Sequence, residues 1–295
     1  MKLAVLDIGG TSIKSAVWED EKMLRFTECR TEAEKGGKHV VEKAIRQISE
    51  MGSFDGIGIS TAGQVDPVKG SIRYANDNIP GYTGIKLKEI MERTFRVPTA
   101  VENDVNAAAI GEGRYGAARG WKDYLCLTYG TGVGGALVMG GQVYRGIAGS
   151  AGEFGSMVIH GRDVIPGKRI SGCYEDYAST RALVEAVHRE IPEITNGREV
   201  FENLENPVVK ELVAGWIQEI AHGLVILIHI FNPGCVILGG GIMEQTYLLE
   251  EVEHCVRGRI MSSFADVEIR KAKLGNMAGL WGVSSLAEKA VLDIG

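Results

Sequence analysis

The order of apolar and polar positions predicts a chain that alternates strands and helices in two similar halves. Period-two alternation and short apolar runs indicate strands, whereas longer stretches with a helical period indicate helices. In the first half the predicted elements are strands 2–8, 12–18 and 23–29, helix 38–51 and strand 55–60. In the second half they are strands 123–129, 132–138 and 142–144, helix 207–231 and strand 235–238. Each half runs hairpin, third strand, helix, strand, so the pattern predicts a duplicated α/β unit.

The remaining segments extend this organisation. They predict, in order, helix 85–95, strand 99–101, helix 104–115, a helical stretch 173–190, helix 246–261, strand 266–270 and helix 279–291. The halves are not separated by a Pro-rich or Ser-rich linker. We therefore expect two α/β domains with a cleft between them, a smaller one of residues 1–116 plus 282–295 and a larger one of residues 117–281.

Composition and charge narrow the functional classes. The 295 residues are 45% apolar and 24% charged, as in a globular protein, and suffice for two cores. The net charge of −6 gives no reason to expect nucleic acid or an anionic membrane surface as a partner. The apolar run 223–231 contains His229 and is interpreted as a buried helix, not a membrane span. Cys126 and Cys235 lie in apolar strand patterns and the N-terminus has no signal-peptide pattern, so we expect a cytoplasmic protein with reduced thiols.

A glycine-rich hairpin tip occurs twice in the chain. The first hairpin is LAVLDIGGTSIKSAV (residues 3–17) and the second is YLCLTYGTGVGGALV (residues 124–138). Glycine lets the backbone take positive φ and leaves main-chain N–H groups open to an oxyanion, and Thr11 and Thr131 each add a hydroxyl donor. Two such tips facing each other would hold the phosphates of a nucleotide from both sides. The pair therefore predicts an ATP-dependent kinase.

Other phosphate-binding motifs fit less well. Gly130, Gly132 and Gly135 satisfy G-x-G-x-x-G, but the dinucleotide motif needs a helix after the glycines, and ALVMGGQVY predicts strand, turn, strand. The sequence contains no G-x-x-x-x-G-K-[ST] P-loop. Glycines that only shape a hairpin turn are the alternative for either tip taken singly.

Asp7 ends an otherwise apolar strand, where an unpaired carboxylate is costly, and Mg²⁺ coordination, directly or through water, would explain it.

A candidate catalytic carboxylate opens the predicted helix 104–115. Phosphoryl transfer to a hydroxyl needs a carboxylate that orients the alcohol and accepts its proton. Asp104, in VENDVNAAAIGEGRYG, follows a short strand, and we expect helix N-terminal N–H groups to hold it ionised. The alternative is that Asn103 or Asp104 is only the N-cap of the helix. The glycine-rich hairpins favour catalysis.

With DIGGT, the END run, GTGVGG and AGEFG in this order, the chain resembles the ROK family of sugar kinases over essentially its whole length. The resemblance implies an α/β, two-domain actin-like ATPase (ribonuclease H-like) fold that closes over ATP and sugar in a central interdomain cleft. It further implies phosphorylation of a sugar's 6-hydroxyl with ATP and Mg²⁺ as cofactors. Relatives suggest a homodimer.

The resemblance also assigns site residues, with Asp104 as the general base. The implied sugar contacts are Gly63, Asn78, Asn103, Asp104, Glu153 and Glu175. With the two hairpin tips, the predicted nucleotide contacts are Asp7, Gly9, Gly10, Thr11, Gly130, Thr131, Gly132, Gly239, Gly240 and Gly241, and Asp7 is the predicted magnesium ligand. Carboxylates and amides suit a pyranose, because its hydroxyls both donate and accept, and an analogue lacking one leaves a buried partner unpaired.

The chain departs from the family at the structural zinc that many members hold. The four ligand positions fall on Ser156, Pro166, Lys168 and Cys173, and even with His160 nearby this does not make a site, so we predict no zinc. The resemblance implies that position 156 lies near the sugar's C1–C2 edge, where the small Ser156 would free space, so we expect a β-glucoside or disaccharide as substrate. Glucokinase, fructokinase or N-acetylmannosamine kinase activity on a free monosaccharide is the alternative.

Two alternatives come from other functional classes, a sugar-responsive regulator and a non-catalytic sugar sensor. ROK regulators carry an N-terminal helix-turn-helix, whereas this sequence starts at the first phosphate strand, and the intact Asp7 and Asp104 favour a kinase.

Lys14 is interpreted as either a phosphate contact or a solvated side chain. His222 and His229 are interpreted as core or interface residues, not ligands.

Overall fold

The computed structural model of the chain describes residues 1–168 and 170–293. The strands are β1 (Lys2–Ile8), β2 (Ser12–Glu19), β3 (Lys22–Arg30), β4 (Gly56–Thr61), β5 (Gln64–Asp66), β6 (Ser71–Tyr74), β7 (Thr99–Asn103), β8 (Tyr124–Tyr129), β9 (Val133–Met139), β10 (Gln142–Val143), β11 (Cys235–Gly239) and β12 (Glu268–Lys271). The α-helices are α1 (Gly37–Ser49), α2 (Leu87–Phe95), α3 (Asp104–Tyr115), α4 (Tyr174–Ala178), α5 (Thr180–Glu190), α6 (Gly197–Glu202), α7 (Pro207–Phe231), α8 (Thr246–Arg257) and α9 (Ala278–Leu292).

Within the described residues the chain forms two compact units. Unit 1 comprises residues 1–119, 145–151 and 277–293, and unit 2 comprises residues 120–144 and 152–276. The predicted domain limits, 1–116 with 282–295 and 117–281, stay a prediction.

The two units repeat one sheet topology. In unit 1 the strand order is β3-β2-β1-β4-β7, and in unit 2 it is β10-β9-β8-β11-β12. Each sheet has an antiparallel hairpin and third strand on one side and two parallel strands on the other. The duplication predicted from the hydrophobic pattern is thus confirmed, and the carboxyl ends of the parallel strands meet at one edge of each sheet.

The unit 1 sheet is buried on both faces, so β1 is apolar almost throughout. Ala4 and Leu6 pack on the α1 side, whereas Leu3 and Val5 pack against α9. Gly58 in β4 lets α9 come close, because a Cβ there would lie 2.4 Å from the carbonyl oxygen of Val283. Helix α9 therefore completes the second face of this sheet.

Helix α7 crosses the unit 2 core. Its Trp216 is buried and donates its indole N–H to the carbonyl of Ala178 at 3.0 Å. Gly223 leaves room for the buried ring of Tyr174. Among the described residues α7 is the one helix that is long and apolar enough to cross a membrane, but half of its apolar window is buried in the protein. A core helix meets the same two criteria, which agrees with the interpretation of 223–231 as buried.

Several elements differ from the prediction. Two short features were not predicted, the hairpin of β5 and β6 and the helix α6. Each of these elements is too short to show a clear strand or helix period in the sequence. The helical stretch 173–190 is two helices, since Ser179 takes an extended conformation between them and caps α5. Helix α8 ends at Arg257 and not at 261, with Gly258 as its C-cap, and residues 262–264 form a separate 3-10 turn.

Candidate active site

The first hairpin tip lies between β1 and β2 in unit 1. The Gly9 N–H donates to the carbonyl of Ser12 at 3.0 Å, and Thr31 Oγ1 donates to the Gly9 carbonyl at 2.6 Å. Gly10 and Thr11 are exposed, and a Cβ on Gly10 would meet no atom within 4 Å. The tip is therefore fixed at its base and open at its apex.

The second tip lies between β8 and β9 in unit 2. The Gly130 N–H donates to the carbonyl of Gly132 at 3.0 Å, and Thr131 is exposed at the apex. A Cβ on Gly132 would lie 2.5 Å from Glu175 Oε2, so the missing side chain lets that carboxylate lie against the tip.

The expectation that the tip glycines take positive φ is wrong. The tip glycines of both hairpins are absent from the residues with positive φ, so their role is the lack of a side chain. Gly240 does have a φ of 100°, and a Cβ there would lie 2.1 Å from the carbonyl of Tyr129. Gly240 therefore permits the close packing of the glycine run 239–241 against the end of β8.

A cavity of about 400 Å³ joins the second tip to that glycine run. Its lining includes Gly130, Thr131, Thr180, Arg181 and Gly241. Thr180 and Arg181 begin helix α5; the Arg181 N–H donates to the Gly130 carbonyl at 3.3 Å, and its guanidinium lies 3.9 Å from Glu185, which also lines the cavity. The sequence analysis missed Arg181, although a basic residue two positions after an N-cap serine was a usable signal. The structure thus brings together two of the predicted nucleotide-binding segments within unit 2. The opposition of the two tips stays a prediction.

Asp7 ends β1 in unit 1 and has two partners. Ser60 Oγ donates to its Oδ1 at 2.6 Å, and Lys14 Nζ lies 3.8 Å from its Oδ2. The Lys14 side chain is only 19% exposed, so the alternative of a solvated lysine is wrong. The argument that Asp7 lacks a partner is wrong as well. Burial nevertheless outweighs both contacts and raises the pKa of Asp7, so a further cation would be stabilised beside it.

Asn103 and Asp104 open α3 in unit 1. Asn103 is the N-cap, and its Oδ1 accepts the N–H groups of Val105 and Asn106 at 3.0 and 3.1 Å. Its Nδ2 donates to the Gly63 carbonyl at 3.0 Å and to Asp104 Oδ1 at 2.8 Å. The N-cap alternative is thus correct for Asn103, which also orients Asp104.

The environment of Asp104 raises its affinity for a proton. Burial first, and next the charge of Asp7, raises its pKa to about 6, against an ordinary value of 3.8. The N–H of Val105, which donates to Oδ1 at 2.9 Å, opposes this increase only in part. Helix N–H groups thus favour the ionised form as expected, but burial and Asp7 outweigh them and leave the pKa of Asp104 above its ordinary value. A carboxylate with a pKa near 6 is suited to general-base work near neutral pH.

Glu102 is a buried carboxylate that the sequence analysis did not single out. It is 1% exposed, pairs with Arg145 Nη2 at 2.5 Å, and accepts from Asn106 Nδ2 at 3.2 Å and from the N–H of Asn103 at 3.0 Å. Both Glu102 and Arg145 lie in unit 1, so the pair fixes the segment 145–151 to the residues that carry Asp104. A glutamate inside the apolar strand pattern of β7 was the available signal.

The other predicted sugar contacts are divided between the units. In unit 2, Glu175 Oε2 accepts the N–H of Val133 at 3.4 Å, beside the second tip. Glu153 is exposed and directly precedes the 3-10 turn 154–156. In unit 1, Asn78 is exposed in the turn before the buried Tyr82, whose hydroxyl lies 2.8 Å from Thr61 Oγ1. Their contacts with a sugar stay predictions.

The four positions for which the family resemblance implied zinc ligands have the following surroundings. Cys173 is buried, caps α4 and contacts Asp176, and burial raises the pKa of its thiol to about 11. Ser156 and Lys168 are exposed. All five cysteines lie in the described part of the chain and are free thiols.

Comparison with known proteins places these observations in a family. Residues 3–290 match the ROK family. The chain is 33% identical to the β-glucoside kinase of Listeria monocytogenes, with 96% of each chain covered. It superimposes on the ROK hexokinase of Thermus thermophilus with a TM-score of 0.82 at 33% identity, covering 99% of this chain and 100% of that one. It also superimposes on a ROK glucokinase from Streptomyces griseus in complex with glucose and AMPPNP, with a TM-score of 0.82 at 29% identity, covering 98% and 100%.

These neighbours are ROK kinases, which have the two-domain actin-like ATPase fold, so the predicted fold class is confirmed. Transcriptional regulators also occur among the proteins that resemble the chain. The match covers nearly the whole chain and includes the hairpin tips, the END run and the AGEFG segment. The chain belongs to the ROK family.

Proposed function

We propose that this protein is an ATP- and Mg²⁺-dependent carbohydrate kinase that phosphorylates the 6-hydroxyl of a hexose or β-glucoside. The observation that carries the proposal is the Asp104 carboxyl, oriented by Asn103 at the start of α3 with a pKa of about 6. The relatives that are sugar kinases support the same reaction class. The glucokinase bound to glucose and AMPPNP supports ATP as the phosphoryl donor.

Asp104 acts as the general base in this proposal. The contacts from Asn103 Nδ2 and from the Val105 N–H both end on Oδ1, so we assign Oδ2 to the sugar hydroxyl. The carboxylate orients the alcohol and accepts its proton as the phosphoryl group is transferred. The negative charge of Asp7 raises the pKa of Asp104 and so makes Asp104 a stronger base.

The cavity of unit 2 is the proposed site for the nucleotide. The wall formed by Gly130, Thr131 and Gly241 offers close backbone approach, and Arg181 supplies a positive charge for phosphate oxygens. Asp7 fits a Mg²⁺ ligand, directly or through water, since it is a buried carboxylate whose pKa is raised despite Lys14 and Ser60. The ion would supply neutralisation of phosphate charge.

The proposed substrate class is a β-glucoside or disaccharide. The small, exposed Ser156 stands at the position where many relatives have histidine, and a relative at 33% identity is a β-glucoside kinase. The competing substrate is a free monosaccharide, as in the glucokinases that also resemble the chain.

A coupled ADP-release assay tests the reaction and the substrate together. Purified protein with ATP and Mg²⁺ should consume ATP with cellobiose, and phosphorus NMR of the product should place the ester on C6. Glucose, fructose and N-acetylmannosamine are tested at the same concentrations. A higher kcat/KM for a free monosaccharide would contradict the β-glucoside proposal alone. ATP consumption that no sugar in the panel increases would contradict the kinase proposal.

A further inference from the structure

A group of three metal-ligating side chains lies in unit 2, apart from the residues assigned to sugar and nucleotide. His160 Nε2 lies 2.8 Å from Glu219 Oε2, and His222 Nδ1 lies 3.4 Å from the same oxygen. One ligand atom from each of the three side chains lies within 4.8 Å of the other two. We propose that His160, Glu219 and His222 bind a zinc ion that fastens the segment 157–172 to helix α7.

The residue types suit zinc. Two imidazoles and one carboxylate form a nitrogen-rich set that borderline divalent transition metals favour, whereas Mg²⁺ and Ca²⁺ prefer oxygen ligands. Ligand atoms about 2.0–2.2 Å from a tetrahedral ion lie about 3.4 Å apart. The spacing of 3.4 Å between His222 and Glu219 matches that value, and the 2.8 Å contact of His160 needs only a small shift. Three protein ligands leave the fourth position to water.

The backbone places the three ligands before any ion binds. Glu219 and His222 are three residues apart in α7 and therefore share one face of the helix. The His160 N–H donates to the Gly172 carbonyl at 3.1 Å, and its ring packs on Tyr177 with the ring centres 4.2 Å apart. The side chains of His160, Glu219 and His222 are 33%, 23% and 44% exposed, so an ion can enter from solvent.

The proposed site differs from the zinc positions of the family. Those positions fall on Ser156, Pro166, Lys168 and Cys173, whereas the new ligands are a histidine of the same segment and two residues of α7. The sequence-based prediction of no zinc considered His160 only as a partner of Cys173. It did not consider Glu219, and it interpreted His222 as a core or interface residue, whereas the His222 side chain is 44% exposed. The approach of both residues to His160 depends on the tertiary fold. The ion would order the chain between the predicted sugar ligands Glu153 and Glu175.

Zinc binding is measured directly, without nucleotide or sugar. Metal-free protein is titrated with Zn²⁺ against a chromogenic chelator, and Co²⁺ serves as an optical probe of a four-coordinate site. The protein should bind one equivalent, and His160→Ala, His222→Ala and Glu219→Gln should each weaken binding by at least about tenfold. His254→Ala, which removes an exposed histidine from α8 in the same unit, should bind as the unchanged protein does.

Three results would overturn the proposal. The first is that no saturable zinc binding is seen, even with a dissociation constant as weak as about 1 mM. The three side chains would then form a hydrogen-bonded group only. The second is zinc binding that the ligand variants do not weaken. The third is binding that Cys173→Ala abolishes while the histidine variants retain it. Circular dichroism of each metal-free variant confirms that the comparison is made between folded proteins.

Limited trypsin digestion tests the proposed effect on the segment. Lys168 is exposed within it, so cleavage there reports local opening. Zinc that binds only while the segment 157–172 is packed on α7 should slow cleavage that requires the segment to open. At free zinc about 100 times the dissociation constant, the decrease in cleavage rate is up to about 100-fold. His222→Ala should lose this protection, since the substitution lies outside the cleaved segment. Equal cleavage rates with and without zinc in the unchanged protein would refute the fastening role.

Discussion

Replacing Asp104 with asparagine should stabilise the protein and at the same time remove its catalytic activity. The folded-state pKa of about 6 lies above the ordinary 3.8, so between these values the folded state binds more protons than the unfolded state. Stability therefore falls as pH rises through this window. At 1.36 kcal/mol for each pH unit, the ionised carboxylate costs up to about 3 kcal/mol above pH 7.

The asparagine side chain avoids this cost and keeps the local hydrogen bonds. Its Oδ1 can still accept from Asn103 Nδ2 and from the Val105 N–H, as Asp104 Oδ1 does. The pKa of about 6 already includes the favourable effect of the helix N–H groups on the carboxylate. Asp104→Asn should therefore be more stable by about 3 kcal/mol at pH 8 and by about 1.5 kcal/mol at pH 5.

Urea unfolding followed by tryptophan fluorescence at pH 5 and pH 8 measures both differences. Asp266→Asn removes an exposed carboxylate in unit 2 and should change stability little at either pH. A variant that is less stable than the unchanged protein at pH 8, or a gain that is equal at both pH values, would refute the reasoning.

The same substitution tests the catalytic role. Loss of general-base action should lower kcat by about 10²–10⁴-fold in the ADP-release assay. In the unchanged protein kcat/KM should fall as pH drops below about 6, because protonated Asp104 cannot accept the hydroxyl proton. Undiminished turnover in Asp104→Asn would assign the base to another residue.

Two further predictions concern residues that support the site. Arg145→Met leaves Glu102, which is 1% exposed, as a buried charge without its cationic partner. Calorimetry should show a destabilisation of about 3–5 kcal/mol. Adding Glu102→Gln to this variant should recover part of the loss. If Arg145→Met is as stable as the unchanged protein, the pair does not hold the segment 145–151. Gly279→Ala places a Cβ 3.2 Å from Asp7 Oδ1 and should cost about 1–3 kcal/mol and lower turnover. Gly215→Ala, whose Cβ meets no atom within 4 Å in α7, should instead stabilise by about 0.5–1 kcal/mol, and a Gly279→Ala variant that behaves the same way would contradict the crowding argument.

Sequence reasoning worked where the signal is local. The bounds of α7 agree with the predicted 207–231, because the apolar period fills that segment and the N-cap Asn206 and the Asn232-Pro233 stop directly flank it. The repeated hairpins were predicted because an alternating apolar pattern and adjacent glycines specify a strand, a turn and a returning strand. Asn103 as an N-cap was likewise available from residue type and position.

Sequence reasoning failed where distant segments decide the environment. The pKa of Asp104, at the start of α3, depends on burial and on Asp7 in the distant strand β1. The helix N–H groups, considered alone, suggested a lowered pKa, whereas the pKa is raised. The partners of Glu102 include Arg145, 43 residues away. These contacts follow from strand register and loop placement, which a local pattern does not contain.

Helix α9 bears on how unit 1 forms during synthesis. The helix packs on β1 and covers Leu3 and Val5, yet the whole of unit 2, residues 120–144 and 152–276, is translated between α3 and α9. On the ribosome, the sheet of unit 1 therefore keeps an apolar face open to solvent until α9 emerges. Exposed apolar surface of this kind attracts chaperones and promotes aggregation of unfinished chains. Nascent chains stopped before residue 278 should consequently be far more chaperone-bound than those that include α9.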